Sequence, residues 1–161
     1  MKDFYRKNVI DFALIQLEKP YIWGEVGPDS FDCSGLTYYI YKELFNIDIN
    51  ETGYGVGDTT KQITNNIGVL RQYPEDDNNK DNYIKDIEIG DLIFFHRQSL
   101  DEKQPTPSNR YPGHVGIYLG DKKFIHASSD EGKVVISILD EYWTKIMVGS
   151  RDLISGIVSN L

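Results

Sequence analysis

The segment that decides the fold is Pro20–Phe45, PYIWGEVGPDSFDCSGLTYYIYKELF. It contains Cys33, the only cysteine of the 161-residue chain. Its first half is rich in Gly, Pro, Asp and Ser, which favour loops, and its second half repeats apolar residues at helical spacing. We therefore predict a loop that leads into a helix over Cys33–Phe45, with Asp32 as the N-cap.

The place of Cys33 at a helix start indicates a reactive thiol. The N–H groups and the positive dipole end of a helix favour the thiolate, which is the nucleophilic form. The alternative is a buried cysteine that packs as a small apolar residue, as free cysteines often do. The neighbouring Asp32, Ser34 and Gly35 favour the reactive interpretation, which predicts a depressed thiol pKa.

Composition indicates one α+β domain over residues 1–161. Apolar residues make up 40% of the chain and charged residues 26%, as in ordinary globular proteins. The formal charge of −8 argues against a nucleic-acid partner and suits an amine-bearing ligand better. No apolar run reaches the ~20 residues that span a bilayer, so we expect no membrane partner. Nothing indicates an oligomer, and a monomer is the default.

The N-terminal segment, MKDFYRKNVIDFALIQLEK, predicts an amphipathic helix over residues 3–17. Acidic residues interrupt its apolar positions and no small-residue cleavage site follows, so it does not match a signal peptide.

The rest of the chain predicts short helices followed by strands. Thr59 and Gln62 match a capping box for a helix that reaches about Ile67. Two polar segments, 71–86 and 97–112, are typical of surface insertions. The predicted strands are 91–96, 114–119, 123–127, 134–139 and 146–151, with a helical turn at 141–144. The expected fold is α+β, with N-terminal helices packed on one face of a C-terminal antiparallel sheet.

Two of the three histidines, His114 and His126, fall in one predicted hairpin. A cysteine nucleophile needs a base, and the base needs a group that orients its ring. Cys33, His114 and His126 offer these three roles in order. The two histidines share a sheet face only if the hairpin has an odd loop or a bulge, which we predict; a plain turn at Gly120–Asp121 would separate them.

Other residues have competing interpretations. His96 is expected to be an ordinary core histidine or a residue that supports the site. A zinc site made from Cys33 and the histidines is disfavoured, because the chain has no CxxC, no HExxH and no closely spaced histidine pair. We expect no metal and no cofactor. The Cys33 N–H and the Tyr21 hydroxyl are candidate oxyanion donors, whereas Trp23 is expected to be a packing aromatic.

Five ordered motifs, PYIWG, DCSGLTYYIY, GDLIFF, GHVGIYLG and FIHAS, resemble the NlpC-type cell-wall cysteine peptidases, a papain-like family that cleaves peptidoglycan stem peptides. The resemblance implies a papain-like α+β fold, with Cys33 as nucleophile, His114 as base and His126 as the residue that orients it. It also implies a role for Tyr21 beside the nucleophile. Asp32 and Ser34 match positions that bind the stem-peptide end.

The sequence departs from the family pattern in places. Gly24 is followed by Glu25 where a second glycine is common, so the groove wall is expected to differ. The two polar insertions lengthen the path from Cys33 to His114 and are candidates for a lid or a specificity element. None of the motifs indicates the wall-targeting domain that often accompanies the family. With no signal-peptide pattern either, the resemblance leads us to expect a protein that acts on the bacterial cell wall after phage delivery or release through a holin, or a catalytic domain excised from a larger protein.

The resulting functional expectation is a cysteine endopeptidase that cuts the γ-D-glutamyl to diamino-acid bond of the stem peptide. One alternative is an amidase that cuts between N-acetylmuramic acid and L-alanine. The other is a non-catalytic wall-binding module, which the presence of Cys33, His114 and His126 disfavours.

Overall fold

The structure is a computed structural model that describes residues 1–50, 57–74, 80–96 and 113–161. Its helices are α1 (Lys2–Ile15), α2 (Cys33–Phe45), α3 (Thr59–Thr64), α4 (Asp81–Ile84), α5 (Glu141–Lys145) and α6 (Leu153–Ser159). Its strands are β1 (Val69–Gln72), β2 (Leu92–Phe95), β3 (His114–Gly120), β4 (Lys123–Ser128), β5 (Lys133–Ile138) and β6 (Met147–Asp152). None of the helices in these ranges has the length and apolar character needed to cross a membrane.

The strands form one antiparallel sheet in the order β1-β6-β2-β3-β4-β5. Helix α2 packs against β3 and β4, and α1 packs against α2 and α6. The main core lies between these helices and the sheet. A smaller core on the other face, around Phe95 and Phe124, is covered by Ile84 of α4 and Trp143 of α5. The α+β architecture is confirmed. The short helices α4 and α5 also cover part of the second face of the sheet, where no helix was expected.

The predicted bounds of α2 are confirmed, and local chemistry explains both ends. Asp32 Oδ1 accepts a hydrogen bond from the Gly35 N–H at 2.6 Å, which caps the first turn. Asn46 adopts the left-handed conformation, with φ of 55°, and ends the helix. Leu36 and Ile40 are fully buried against the sheet. Residue 33 is thereby held at the start of a rigid element.

The β3–β4 hairpin contains the predicted bulge. Ile117 pairs with Ile125, but Gly120 pairs with Lys123, so Leu119 is an extra residue on β3. The tight turn is formed by the next two residues, Asp121 and Lys122, both at positive φ, and not by Gly120 and Asp121. Continued toward the start of β3, the Ile117–Ile125 register places Gly116 opposite His126. His114, two residues from Gly116, therefore lies on the same face as His126.

Several predictions fail near the edges of elements. Helix α1 ends at Ile15, two residues early. Helix α3 is capped by Asp58 and not by Thr59, and it ends at Thr64. Gln62 is buried and donates to the Ser34 carbonyl instead of closing a capping box. Helix α6 was not predicted.

The described parts of the segment 71–86, residues 71–74 and 80–86, belong to the fold and not to a surface insertion. Its first two residues belong to β1, which pairs with β6 at the edge of the sheet. Tyr73, Lys80 and Ile84 are all buried. Lys80 Nζ donates to two carbonyls, of Lys145 and Met147, at 3.0 and 2.8 Å. Residues 75–79 and the second segment, 97–112, lie outside the described residues.

A buried ion cluster joins α1 to the sheet. Arg6 donates to Asp152 at 2.9 and 3.0 Å and to Asp91 at 3.0 Å, and all three residues are buried. Asp152 also caps α6, because it accepts from the Ser155 N–H at 3.0 Å. One arginine therefore connects the N-terminal helix, the residue before β2 and the start of the C-terminal helix.

Candidate active site

A cavity of about 700 Å³ opens where the start of α2 meets β3, β4 and α5. The residues that line it are Tyr21, Trp23, Gly24, Asp32, Cys33, Ser34, Gly57, Asp58, Thr59, Thr60, His96, Gly113, His114, His126, Ser128, Ser129, Asp130, Tyr142 and Trp143. All six residues predicted for the site are among them. The fold thus collects side chains that are up to 105 residues apart in sequence, from Tyr21 to His126.

Cys33 lies at the first position of α2 with its thiol facing the cavity. The backbone N–H groups of Ser34 and Val115 approach the sulfur, and the Thr59 hydroxyl lies 4.0 Å from Sγ. Burial and the neighbouring Asp32 carboxylate nevertheless raise the pKa of the Cys33 thiol to about 11. The predicted depressed pKa is therefore wrong: loss of solvation outweighs the helix-terminal amides.

His114 and His126 are in direct contact. Nε2 of His114 lies 2.8 Å from Nδ1 of His126, and the rings meet nearly at right angles. On its other side, Nε2 of His126 lies 2.8 Å from the Ser137 hydroxyl of β5. Both nitrogens of His126 are thus engaged, and its side chain is fully enclosed, with 1% of the residue exposed.

Aromatic side chains hold the two imidazoles in place. Phe124 stacks on His126 with ring centroids 4.5 Å apart, and Trp143 contacts His126 at 5.2 Å and His114 at 5.7 Å. Gly116 makes room for this packing, because a Cβ there would meet the Phe124 ring at 2.8 Å and the Cβ of His126 at 3.2 Å. The smaller core around Phe95 and Phe124 therefore sets the orientation of both imidazole rings.

The imidazoles are neutral at physiological pH. Burial lowers the pKa of His114 to about 4. Burial also lowers the pKa of His126, with a further contribution from His114. The raised pKa of Cys33 and the lowered pKa values of the two histidines favour a neutral thiol and neutral imidazoles in the resting protein.

Asp32 and Ser34 line the cavity next to Cys33. Asp32 accepts hydrogen bonds from the backbone N–H of Gly35 and, at 3.0 Å, from that of Gly24, so it joins the α2 cap to the preceding loop. Burial raises the pKa of the Asp32 carboxyl despite these bonds. The Ser34 hydroxyl lies 3.5 Å from Asp32.

Trp23 and His96 differ from expectation. Trp23 is 73% exposed at the cavity rim, so the prediction of a packing aromatic is wrong. His96 is only partly buried and lines the cavity, which corresponds to the supporting role and not to a core histidine. Tyr21 reaches the cavity from the loop before α2, which is held by backbone bonds to Phe31 and Gly132.

Among the residues around the site that sequence reasoning missed are Thr59, Ser137, Tyr142 and Trp143. Thr59 was interpreted as a helix cap, and Ser137 stands at an ordinary polar position of an alternating strand. The tyrosine and tryptophan lie in a predicted helical turn with no sign of contact to a distant hairpin. Only the tertiary arrangement brings these side chains to the histidines.

The cavity is acidic. Asp32, Asp58 and Asp130 line it, and no lysine or arginine does so among the described residues. Within the same part of the chain, no three His, Cys, Asp or Glu side chains are grouped closely enough to hold a metal ion.

Comparison with known proteins connects this arrangement to a family. The model of the NlpC/P60 family matches residues 18–152. The chain is 32% identical over 147 residues to the murein DD-endopeptidase MepH of Escherichia coli K12, covering 90% of this chain and 45% of that protein. It is 30% identical over 154 residues to the probable endopeptidase YafL of the same strain, covering 92% and 51%. The chain thus spans about half the length of these curated relatives.

Solved structures agree on the fold. The NlpC/p60 domain of the peptidoglycan hydrolase SagA superposes with a TM-score of 0.63 at 23% identity, covering 91% of this chain and 97% of that one. The similarity extends over the helices and the sheet that position the cavity.

Proposed function

Because the chain belongs to the NlpC/P60 family, we propose that it is a cysteine endopeptidase that hydrolyses stem peptides of bacterial peptidoglycan. The observation that carries this proposal is the cavity that is lined both by Cys33, at a helix start, and by the contacting pair His114 and His126. The named relatives MepH and YafL support the choice of peptidase chemistry and of the wall as substrate.

In the proposed reaction, Cys33 Sγ attacks the carbonyl carbon of the scissile amide while His114 accepts the thiol proton. His114 Nε2 faces His126, so Nδ1 is the nitrogen left to receive that proton. The protonated His114 then donates to the leaving amine, and a thioester remains on Cys33. Water, deprotonated by His114, hydrolyses the thioester and restores the thiol.

The oxyanion of each tetrahedral intermediate needs hydrogen-bond donors. The Cys33 N–H is one, because first-turn N–H groups have no acceptor within the helix. We assign the Tyr21 hydroxyl, which lines the same cavity, as the second. Thr59, with its hydroxyl 4.0 Å from Sγ, is the competing donor.

The proposed scissile bond joins γ-D-glutamate to the diamino acid. Asp32 and Ser34 lie next to Cys33 and are suited to bind the free amine of the N-terminal L-alanine. The acidic lining favours a cationic ligand, since an amine gains attraction from carboxylates in a partly enclosed groove. The end of the stem peptide would thereby set the register of cleavage.

The direct test is digestion of purified peptidoglycan by wild type and by Cys33→Ala, with identification of new termini by mass spectrometry. Lys7→Met, on the exposed face of α1, is the matched control for handling and refolding. New γ-D-glutamyl carboxyl and diamino-acid amino termini, made by wild type and the control only, support the proposal. Equal release by Cys33→Ala would refute Cys33 as the nucleophile.

The same products distinguish the alternatives. A new L-alanine amino terminus would assign an N-acetylmuramoyl-L-alanine amidase. Cleavage in the peptide cross-links would assign a DD-endopeptidase, the activity named for the relative MepH. Retention of the protein on the wall without any new terminus would assign a binding module.

A further inference from the structure

The histidine pair is part of a longer chain of contacts that crosses three neighbouring strands. His114 of β3, His126 of β4 and Ser137 of β5 are joined in sequence by two contacts of 2.8 Å. In each contact the two residues do not lie directly opposite each other on the neighbouring strands but are offset by two positions. Val135 lies directly opposite His126, and Ser137 is two residues further along the same face of β5.

The two contacts restrict where protons can be. For Nδ1 of His114 to accept the thiol proton, its Nε2 must carry a hydrogen, which then points at Nδ1 of His126. That nitrogen must accept, so the hydrogen of neutral His126 is on Nε2. It is therefore donated to the Ser137 oxygen. After His114 is protonated the same arrangement still holds, since its Nε2–H remains the donor.

We propose that Ser137 is a positioning residue whose hydroxyl oxygen accepts from His126 and so fixes the tautomer of both histidines with His114 Nδ1 free to act as base. The proposal rests on the proposed function for its catalytic meaning. The assignment of hydrogens to the ring nitrogens of His114 and His126 concerns the resting protein and does not depend on the catalytic activity.

The surroundings of Ser137 support this role. It lies on the edge strand, where its neighbours Ile136 and Ile138 are 41% and 60% exposed. His126 Nε2 is the one side-chain partner of its hydroxyl among the described residues. A hydroxyl can donate or accept, so Ser137 selects this tautomer when its own hydrogen is donated to water at the open edge and its oxygen is left to accept from His126. An alanine would leave the buried Nε2–H of His126 without a partner, which removes the preference for one tautomer.

The test is nitrogen-15 NMR of protein labelled in histidine, which has three histidines to assign. In wild type we expect Nε2 of both His114 and His126 to give the signal of a protonated ring nitrogen, and Nδ1 of both to give that of an unprotonated one. In Ser137→Ala we expect a mixture of tautomers in both rings. In Ser137→Thr, which keeps the hydroxyl, we expect the wild-type pattern.

Kinetics provide the second measurement. Ser137→Ala should lower kcat about 3- to 10-fold with little change in KM, the effect of one neutral hydrogen bond, and Ser137→Thr should restore it. Val135→Ala, on the same strand and face without a polar group, controls for strand packing. If Ser137→Ala folds and keeps the wild-type tautomers, or if wild type carries hydrogen on Nδ1 of His126, the inference is overturned. A wild type with the expected tautomers and no activity on peptidoglycan overturns the proposed function instead.

Discussion

His114 on β3 and His126 on β4 meet at 2.8 Å between Nε2 and Nδ1 because Leu119 bulges out of the hairpin that joins their strands. Without that extra residue, strand alternation would place the two rings on opposite faces of the sheet. The contact between the proposed base and its proposed orienting group therefore depends on a feature five residues from His114. Substitutions around this contact test it most sharply.

His126→Ala should lower kcat on stem peptides by on the order of 10²-fold, because the His114 ring loses the acceptor that fixes its tautomer. His126→Asn is the matched variant, since its side-chain oxygen can accept near the place of Nδ1, and it should retain much more activity. Steady-state kinetics on a soluble muropeptide give both values. Equal losses in the two variants would contradict the role of His126 as the acceptor that fixes the His114 tautomer.

Alkylation of Cys33 by iodoacetamide should be slow at neutral pH and should rise about tenfold per pH unit between pH 7 and 9. The sign follows from the pKa of about 11: the thiolate fraction is small at pH 7 and grows as pH rises toward the pKa. The chain has one cysteine, so adduct formation reports this thiol alone. A rate that is already level at pH 6 to 7 would indicate a thiolate–imidazolium pair at rest.

Asp32→Asn should speed alkylation at a fixed pH, because the Asp32 carboxylate raises the thiol pKa and asparagine keeps the N-cap acceptor. Asp58→Asn is the control, as it removes a charge that lines the same cavity and caps α3 in the same way. An equal increase in both variants would point to the general charge of the cavity and not to Asp32.

Tyr21→Phe should lower kcat by about 10²-fold with the affinity for substrate preserved, the effect of removing one oxyanion donor. Thr59→Val, which removes the hydroxyl on the other side of Sγ, should change kcat less than about 3-fold under the same assignment. Single-turnover rates on one soluble substrate compare the two. A larger loss of kcat in Thr59→Val than in Tyr21→Phe would assign the donor role to Thr59.

Arg6→Met should destabilise the protein by about 3–5 kcal/mol, because Asp152 is left buried without its cation and Asp91 keeps only the longer contact of 3.7 Å with Arg71. Lys7→Met breaks an exposed pair with Asp11 on the same helix and should cost less than about 1 kcal/mol. Urea unfolding measures the free energy of both variants. A loss below about 1 kcal/mol for Arg6→Met would show that the cluster does not hold α1 to the sheet.

The parts of the fold that the sequence predicted are those with local causes. Asp32 and the apolar spacing of α2 act within a few residues, and so do the alternation and turn residues of the β3–β4 hairpin. Strand β1 was missed because its four residues, VLRQ, show no alternation and pair only with β6, which is about 80 residues away. The burial of Arg6 could not be predicted either, because its partners Asp91 and Asp152 are distant in sequence.

The features of the candidate site likewise divide into those with local causes, which the sequence predicted, and those that depend on tertiary packing. Cys33, His114 and His126 were identifiable by residue type and order, and the bulge was deduced from parity. The raised pKa of Cys33 could not be predicted, because desolvation depends on packing that local sequence does not specify. Ser137 carried no signal at all: a serine on an alternating strand becomes informative only when His126 is found beside it.

The central claim is that Cys33 becomes acylated by the glutamyl side of the stem peptide. Rapid acid quench of wild type with a soluble muropeptide, followed by peptide mass mapping, measures this directly. We expect a hydroxylamine-sensitive mass increase, equal to the acyl fragment that ends in γ-D-glutamate, on the peptide that contains Cys33. Continued turnover with that peptide unmodified, or undiminished turnover by Cys33→Ala, would contradict the account.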